Sequence, residues 1–202
     1  MNTGSRASGG YRRRKKWMLR EHMNSAESVY YIEETQLEEA GFLNENEKDR
    51  IRDAQKEEDP EEEYEKMCGK GIRFIPWSDR EYPGRLREME DMPYALYVKG
   101  KLPLETSRTA AVIGARRCTP YGEKYAVDFA AALAGRGVEI ISGMARGIDG
   151  MGHRGALMAG GRTFAVLGSG VDICYPREHI GLYMDILEQD GGILSEQPPG
   201  TP

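Results

Sequence analysis

The sequence has few of the residues that would place it in a simple structural class. Its three cysteines, Cys68, Cys118 and Cys174, lie far apart and form no CxxC pair, which favours reduced thiols in a cytosolic protein over a disulfide framework. No apolar run is long enough to cross a bilayer, and residues 1–16 lack the apolar centre of a signal peptide. The three histidines are too widely separated to form a pair with metal-ligand spacing. These absences predict a cytoplasmic protein that uses no membrane segment, metal or cofactor.

An excess of positive charge is also missing. The 28 Lys and Arg residues are outnumbered by 33 Asp and Glu, which gives a net charge of −5. This balance argues against a protein coated in basic surface but allows one local basic groove. A chain of 202 residues can bury a real core and suits one domain with a smaller appendage.

The residues that are present divide the chain into three parts. Residues 1–16 are rich in Gly, Ser and Arg, and we expect a disordered polar and basic tail. Residues 17–66 place a thin set of apolar anchors at helical spacing, which predicts a small helical region. Residues 67–202 alternate short apolar runs with helical segments, the pattern of βαβ units in a parallel sheet. The sequence therefore predicts an α/β fold.

Three apolar runs in the last part, residues 110–113, 138–141 and 163–167, each end in a glycine-rich turn. Ligands of open α/β sheets bind at the carboxyl ends of the strands, where backbone N–H groups and helix N-termini attract anions. Arginines and a hydroxyl in the first two turns also suit phosphate, so we predict a phosphate-binding rim. The candidate residues in these turns are Gly114, Arg116, Arg117, Thr119, Tyr121, Ser142, Gly143, Arg146, Gly147, Gly168 and Gly170. For Tyr121, stacking on a base and bracing the fold are equal alternatives.

Candidates for catalysis are few. Asp149 and His153 are four residues apart and share one helix face, and we predict a local Asp–His hydrogen bond that holds the second turn in shape. Ser142 does not lie in a GxSxG elbow. Asp149 and Glu196 are the only plausible acids or bases near the turns, so no catalytic residue is assigned.

One motif is misleading. Gly150, Gly152 and Gly155 match GxGxxG, and Asp172 follows at a suggestive distance. A dinucleotide fingerprint must directly follow its strand, whereas this match lies inside the predicted helix 148–159. We therefore interpret these glycines as small residues that let helix and sheet pack closely.

An ordered set of motifs resembles the DprA/Smf family of DNA-processing proteins. The segments that carry the resemblance are Ala111–Arg117, Pro120–Gly122, Ile141–Asp149, His153–Leu157, Ala165–Asp172, Tyr175–Pro176 and Ser195–Gly200. Tyr82–Pro83 and Leu96–Gly100 also fit, so the match runs in order from about residue 71 to the C-terminus. Each motif alone is weak, but the ordered set is highly specific.

The resemblance implies an extended Rossmann-like parallel sheet with helices on both faces. It also implies a non-enzymatic cytosolic protein that binds and protects incoming single-stranded DNA during natural transformation, helps to load RecA recombinase and forms a homodimer through the Rossmann-like domain. The family's phosphate-binding arginine falls on Arg116, and the basic residue of the second turn falls on Arg146. Gly114, Ser142 and Gly143 match the positions of close backbone approach, while Arg117, Thr119, Tyr121 and Arg177 are assigned by proximity.

Two departures from the family and one alternative function accompany this interpretation. The family continues beyond the Pro198-Pro199-Gly200 turn, so we expect residues 67–202 to be an incomplete Rossmann-like domain. The helical region resembles the remnant of a helix-hairpin-helix or sterile-alpha-motif-like module without its first helix and glycine hairpin. The alternative is a Rossmann-like enzyme or sensor that binds a free nucleotide with the same glycine-rich turns.

Overall fold

A computed structural model of the chain describes residues 15, 17–23, 28–29, 31–57 and 59–202. The predicted disordered tail, residues 1–16, lies outside the described residues except for Lys15. The chain divides into two compact units. The first unit extends to Lys66 and includes Met89–Tyr94, and the second comprises Met67–Glu88 and Ala95–Pro202. Within the described ranges, no helix is both long and apolar enough to traverse a bilayer.

The N-terminal part of the chain is helical. It contains α1 (Glu34–Glu39), α2 (Glu45–Glu57) and α3 (Pro60–Gly69), and residues 17–23 are also helical. Asn44 and Glu47 cap the start of α2 reciprocally, because each side chain accepts the other's backbone N–H, at 3.0 and 2.8 Å. The buried Lys48 ammonium donates to the Glu38 carboxylate at 2.7 Å. Ion pairs of this kind supplement a set of buried apolar side chains that includes Ile32, Leu37 and Ala40.

The second unit is built on a six-stranded mixed sheet. Its strands, in chain order, are β1 (Ile72–Pro76), β2 (Ala95–Gly100), β3 (Thr109–Ala111), β4 (Glu139–Ser142), β5 (Thr163–Leu167) and β6 (Gly192–Ser195). Their spatial order is β1-β2-β6-β5-β4-β3. Strands β3 to β6 are parallel, whereas β2 pairs antiparallel with both β6 and β1. The sheet is therefore parallel where the glycine-rich turns lie and antiparallel at the opposite side.

Three helices cross between the parallel strands and cover one face of the sheet. They are α5 (Pro120–Ala134), α6 (Ile148–Met158) and α7 (Ile180–Glu188), and a 3-10 turn (Arg177–His179) precedes the last. Because consecutive parallel strands are neighbours in the sheet, each right-handed crossover advances in the same direction and returns over the same face. The helices pack side by side, α5 against α6 and α6 against α7.

Alternate strand residues separate two apolar layers. Ile140, Ala165 and Ile193 are buried towards the crossover helices. The opposite layer includes Phe164, Leu194, Val98, Tyr82 and Leu86, the last of which lies in the short helix α4 (Gly84–Arg87). The predicted fold class, a Rossmann-like α/β sheet with helices on both faces, is confirmed. Among the described residues of the second unit, α4 is the helix that packs on this second face.

The GxGxxG match has the packing role that its position predicts. All three glycines lie within α6. A Cβ on Gly152 would lie 2.7 Å from Val112 Cγ1, beyond the end of β3, and one on Gly155 would lie 2.4 Å from the carbonyl oxygen of Val127 in α5. These distances are shorter than real Cβ contacts, so only glycine allows α6 to approach its neighbours this closely.

His153 is buried in the same helix in a specific tautomer. The Thr163 hydroxyl donates to the Ile140 carbonyl at 2.8 Å, so it accepts from His153 Nδ1 at 2.7 Å and the proton resides on Nδ1. The predicted Asp149–His153 hydrogen bond is therefore wrong. Helical spacing places the two residues on one face. However, the His153 side chain bonds to Thr163 in the sheet, and the Asp149 side chain bonds to backbone amides of the turns.

Burial of His153 makes stability depend on pH. Burial, aided by His179, lowers the pKa of His153 to about 3, so the folded protein keeps the ring neutral where the unfolded chain, near its ordinary 6.5, binds a proton. The contribution of the neutral His153 ring to the free energy of unfolding is fully present above pH 6.5. It is lost as pH falls towards 3, at about 1.4 kcal/mol per pH unit. Urea unfolding of His153→Gln between pH 7 and 4 should therefore show a shallower loss of stability than the parent. Parallel curves would contradict this assignment.

Candidate functional site

The carboxyl ends of the parallel strands open into a cleft of about 630 Å³, which we call the strand-end cleft. Its lining residues are Arg116, Arg117, Gly143, Ala145, Arg146, Leu167, Gly168, Ser169, Ile173, Tyr175 and Pro202. The lining includes three arginines and no aspartate or glutamate, in a chain whose net charge is −5. The cleft is therefore a local cationic site on an acidic protein.

Asp149 fastens the first two turns to each other. Its carboxylate is buried at the start of α6 and accepts the Gly114 N–H through Oδ1 and the Gly143 N–H through Oδ2, both at 3.2 Å. The two amides follow β3 and β4, so one side chain fixes the spacing of both strand ends. Asp149 therefore holds the turns through backbone amides and not through the hydrogen bond to His153 that the sequence suggested.

Gly147 brings the second turn into contact with the first. Its φ of +76° is in the left-handed region, and a Cβ there would lie 2.2 Å from the Ala115 carbonyl oxygen and 2.8 Å from that of Arg116. The next residue, Ile148, donates its backbone N–H to the same Ala115 oxygen at 3.2 Å. The backbone that carries Arg116 is therefore held directly against the turn that carries Arg146.

A left-handed non-glycine residue shapes the second turn. Met144 has φ +56° and is fully buried, a conformation that persists only where its surroundings hold it. His179 Nδ1 donates to the Met144 carbonyl at 2.9 Å, and a carbonyl can only accept, so the proton of His179 is on Nδ1. The 3-10 turn thus holds the turn after β4 through the His179–Met144 hydrogen bond. No local sequence pattern indicates this contact.

The arginines of the cleft differ in how they are held. Arg116 is exposed, and its guanidinium has no hydrogen-bond or ion-pair partner in the part of the chain that the structure describes. The Arg146 guanidinium instead donates to both carboxylate oxygens of Glu178, at 2.5 and 2.9 Å. This bond raises the pKa of Arg146 and lowers that of Glu178. A ligand anion therefore meets Arg116 directly but must displace Glu178 from Arg146.

The third wall comes from the turn after β5 and the last residues of the chain. Gly170 donates its N–H to the Thr201 carbonyl at 2.7 Å, and the Asp172 carboxylate accepts the Gly200 N–H at 2.7 Å. A Cβ on Gly170 would lie 2.6 Å from the Pro198 carbonyl oxygen. These contacts place Pro202 at the cleft.

The sequence-predicted residues fall into three groups. Those that line the cleft are Arg116, Arg117, Gly143, Arg146 and Gly168. Those that support its backbone are Gly114, Gly147, Gly170, Ser142, whose hydroxyl donates to the Val112 carbonyl at 2.6 Å, and Thr119, which caps α5 by accepting the Gly122 N–H at 3.2 Å. Tyr121 and Arg177 are exposed and lie outside the lining.

Sequence reasoning missed several lining residues. Leu167, Ile173 and Tyr175 give the cleft an apolar and aromatic wall, and Tyr175 is 65% exposed. Only the glycines of this segment carry a recognisable phosphate signal, because an apolar side chain near a strand end is equally typical of a core. Glu196, a candidate acid or base, does not line the cleft, and both carboxylate oxygens of Asp149 are engaged by backbone amides.

Comparison with known proteins supports a family assignment. The family model for DNA recombination-mediator protein A matches residues 73–202. Protein Smf of Escherichia coli is 44% identical over 129 residues, which cover 64% of this chain and 34% of that protein. DNA processing protein DprA of Bacillus subtilis is 37% identical over 132 residues, which cover 65% and 44%. The chain thus spans less than half the length of these relatives.

Two solved structures share the fold. DNA processing protein A from Streptococcus pneumoniae matches with a TM-score of 0.68 and 31% identity, covering 83% of this chain and 57% of that one. DNA processing protein A from Helicobacter pylori, described for its single-stranded DNA binding mode, matches with a TM-score of 0.57 and 30% identity, covering 65% and 58%. The family resemblance of the sequence is confirmed: the chain belongs to the DNA recombination-mediator protein A family, whose members are also named DprA or Smf.

Proposed function

We propose that this chain binds single-stranded DNA in the strand-end cleft. The observation that carries the proposal is the convergence of Arg116, Arg117 and Arg146 on one cleft without an acidic lining residue, in a chain of net charge −5. Planar guanidinium groups bind phosphate oxygens bidentately, and the glycine turns allow close backbone approach. The likeness to the Helicobacter pylori structure described for single-stranded DNA binding supports the same ligand.

The apolar and aromatic wall of the cleft favours a single strand over a duplex. Leu167, Ile173 and Tyr175 offer apolar and aromatic surface beside the arginines. Unstacked bases gain by packing on such surface, whereas the bases of a duplex are stacked on one another and unavailable. The phosphates would then lie on the arginine side and the bases on the Tyr175 side.

The cellular role proposed for this chain follows from its family. We infer that it acts without catalysis in the cytoplasm, that it protects incoming DNA and that it helps to load RecA recombinase during natural transformation. A homodimer formed through the Rossmann-like unit is part of the same proposal. The chain spans 34% to 44% of the relatives described above, so each of these activities requires its own test on this chain.

The alternative, a nucleotide-binding enzyme or sensor, has one observation in its favour. A cleft of about 630 Å³ is of the size that holds small ligands. Chemistry on a nucleotide needs an acid or base at the reacting atoms, and the lining offers only the hydroxyls of Ser169 and Tyr175, with no carboxylate or histidine among its residues. The arginine-lined cleft therefore supports binding better than turnover.

A thermal-shift comparison distinguishes the two functions. A ligand that binds the native state raises the unfolding temperature, and the rise grows with the logarithm of the ratio of ligand concentration to Kd. We expect a short oligothymidylate to stabilise the chain and mononucleotides at equal phosphate concentration to have little effect. A large shift with a mononucleotide alone would replace DNA binding with the alternative.

The Arg146–Glu178 pair predicts that one substitution improves binding. In Glu178→Gln, phosphate no longer competes with a carboxylate for Arg146, so oligothymidylate affinity should rise by about two- to fivefold at low salt. The matched control is Glu188→Gln, which makes the same charge change at the exposed C-terminal end of α7. Fluorescence anisotropy titration measures both variants, and an equal rise in the two would show only a general charge effect.

A further inference from the structure

A row of exposed aromatic side chains runs along α5, outside the strand-end cleft. Tyr121 is 70% exposed, Tyr125 37% and Phe129 63%. The Tyr121 and Tyr125 ring centroids are 4.3 Å apart, and those of Tyr125 and Phe129 are 5.8 Å apart, with interplanar angles of 44° and 40°. The three side chains are four residues apart in turn, so they form one stripe, which we call the aromatic row.

Packing does not explain the aromatic row. The side of α5 that faces the core is made of alanines, with Ala126, Ala130 and Ala134 buried. Large aromatic side chains on the opposite side expose apolar surface to water without any gain from the fold. The described residues of the fold thus leave this apolar surface largely uncovered.

Basic residues mark both ends of the row and its middle. It begins four residues after Arg117, which lines the strand-end cleft. Lys124 places its ammonium 5.8 Å from the centre of the Tyr125 ring. At the far end, the exposed Arg136 guanidinium donates to the Ala132 carbonyl at 2.7 Å, which holds it over the last turn of the helix. Aromatic faces interleaved with cations are typical of surfaces that bind single-stranded nucleic acid.

The size of the row argues against a second copy of the chain as its occupant. An aromatic side chain has about 150–250 Å² to bury, so the three exposed fractions leave about 250–430 Å². A stable protein–protein interface covers about 800 Å² on each partner. The row supplies about half of that at most, whereas two or three bases need no more.

We propose that the aromatic row is a second part of the DNA interface, on which bases of a single strand stack after the strand leaves the cleft past Arg117. The proposal rests on DNA binding in the cleft and extends it to Tyr125 and Phe129. Asp128 is exposed beside the row and repels phosphate, so stacking of bases, not attraction of the backbone alone, holds the strand there.

Oligothymidylates of two lengths test the proposal on the intact chain. An oligomer of about 4 nucleotides fits the cleft alone, and one of about 12 reaches the row. The double variant Tyr125→Ala/Phe129→Ala should bind the short oligomer as the parent does and the long one at least tenfold more weakly. Tyr125→Phe/Phe129→Tyr, which keeps both rings, should bind the long oligomer more tightly than the short one by the same factor as the parent. Unfolding temperatures of both variants check that the fold is intact.

The outcomes separate the row from the cleft. Suppose that the alanine variant keeps the parent's full gain in affinity from the short to the long oligomer while Arg116→Ala lowers the affinity for both. In that case the row proposal is wrong and the cleft assignment stands. If the parent binds neither oligomer, both fail. An alanine variant that binds DNA normally but changes sedimentation would assign the row to protein association and overturn its role in DNA binding.

Discussion

Replacing both Arg116 and Arg146 with alanine is expected to reduce oligothymidylate affinity at least a hundredfold, for all base sequences alike. Each side chain offers charge-assisted hydrogen bonds to phosphate, and losing one such contact costs roughly ten- to a hundredfold in affinity. The two single variants should differ. Among the described residues Arg116 has no partner to give up, whereas Arg146 must exchange Glu178 for phosphate, so Arg116→Ala should cost more than Arg146→Ala.

The control for this experiment is Arg154→Ala. Arg154 is exposed on α6 and does not line the cleft, so its loss changes net charge by the same amount as either single substitution without removing a proposed contact. Anisotropy titrations at one salt concentration compare the parent, the two single variants, the double variant and the control. Parent-like binding by the double variant, or an equal loss in Arg154→Ala, would remove the cleft from the DNA interface.

Gly147→Ala should destabilise the second unit by about 3 kcal/mol or more and abolish DNA binding. An added Cβ would lie 2.2 Å from the Ala115 carbonyl oxygen, so the two turns would have to separate. Separation also breaks the bond from the Ile148 N–H to Ala115 and moves Arg116 away from Arg146. Urea unfolding measures the first effect and oligothymidylate titration the second.

Gly160→Ala measures the cost of a positive φ where an added Cβ meets no neighbouring atom. Gly160 also has a left-handed φ, +67°, but nothing lies within 4 Å of its added Cβ. Its substitution should cost only the left-handed penalty of about 1–2 kcal/mol and leave DNA binding unchanged. If the two alanine variants lose equal stability, the contact between the first and second turns does not hold the site together.

The elements of the second unit could be predicted because each depends on local pattern. The apolar run 163–167 coincides with β5, and the alanine-rich segment around residues 123–133 forms most of α5. Glycine inside a helical pattern predicted close packing, and Gly155 shows it. The antiparallel pairing of β2 with β6 was not predictable, because strand direction is decided by contacts that are distant in the sequence.

The site was predictable only in outline. Parallel strands bring their carboxyl ends to one edge, which is why Arg116 and Arg146 could be expected at one cleft. How the turns are fastened depends on three-dimensional contacts that spacing does not encode. Asp149 binds amides from the turns that follow two different strands, and His179 reaches Met144 from 35 residues away. The pairing of Arg146 with Glu178, across 32 residues, has the same non-local origin.

The salt dependence of oligothymidylate binding tests the cationic cleft most directly. Each phosphate neutralised on a single strand contributes a slope of about −0.7 in log affinity against log salt. Three cleft arginines predict a slope of about −2 for the parent and about −1.4 for Arg116→Ala. A parent slope near zero, or the same slope in both proteins, would show that binding does not depend on phosphate contacts in this cleft.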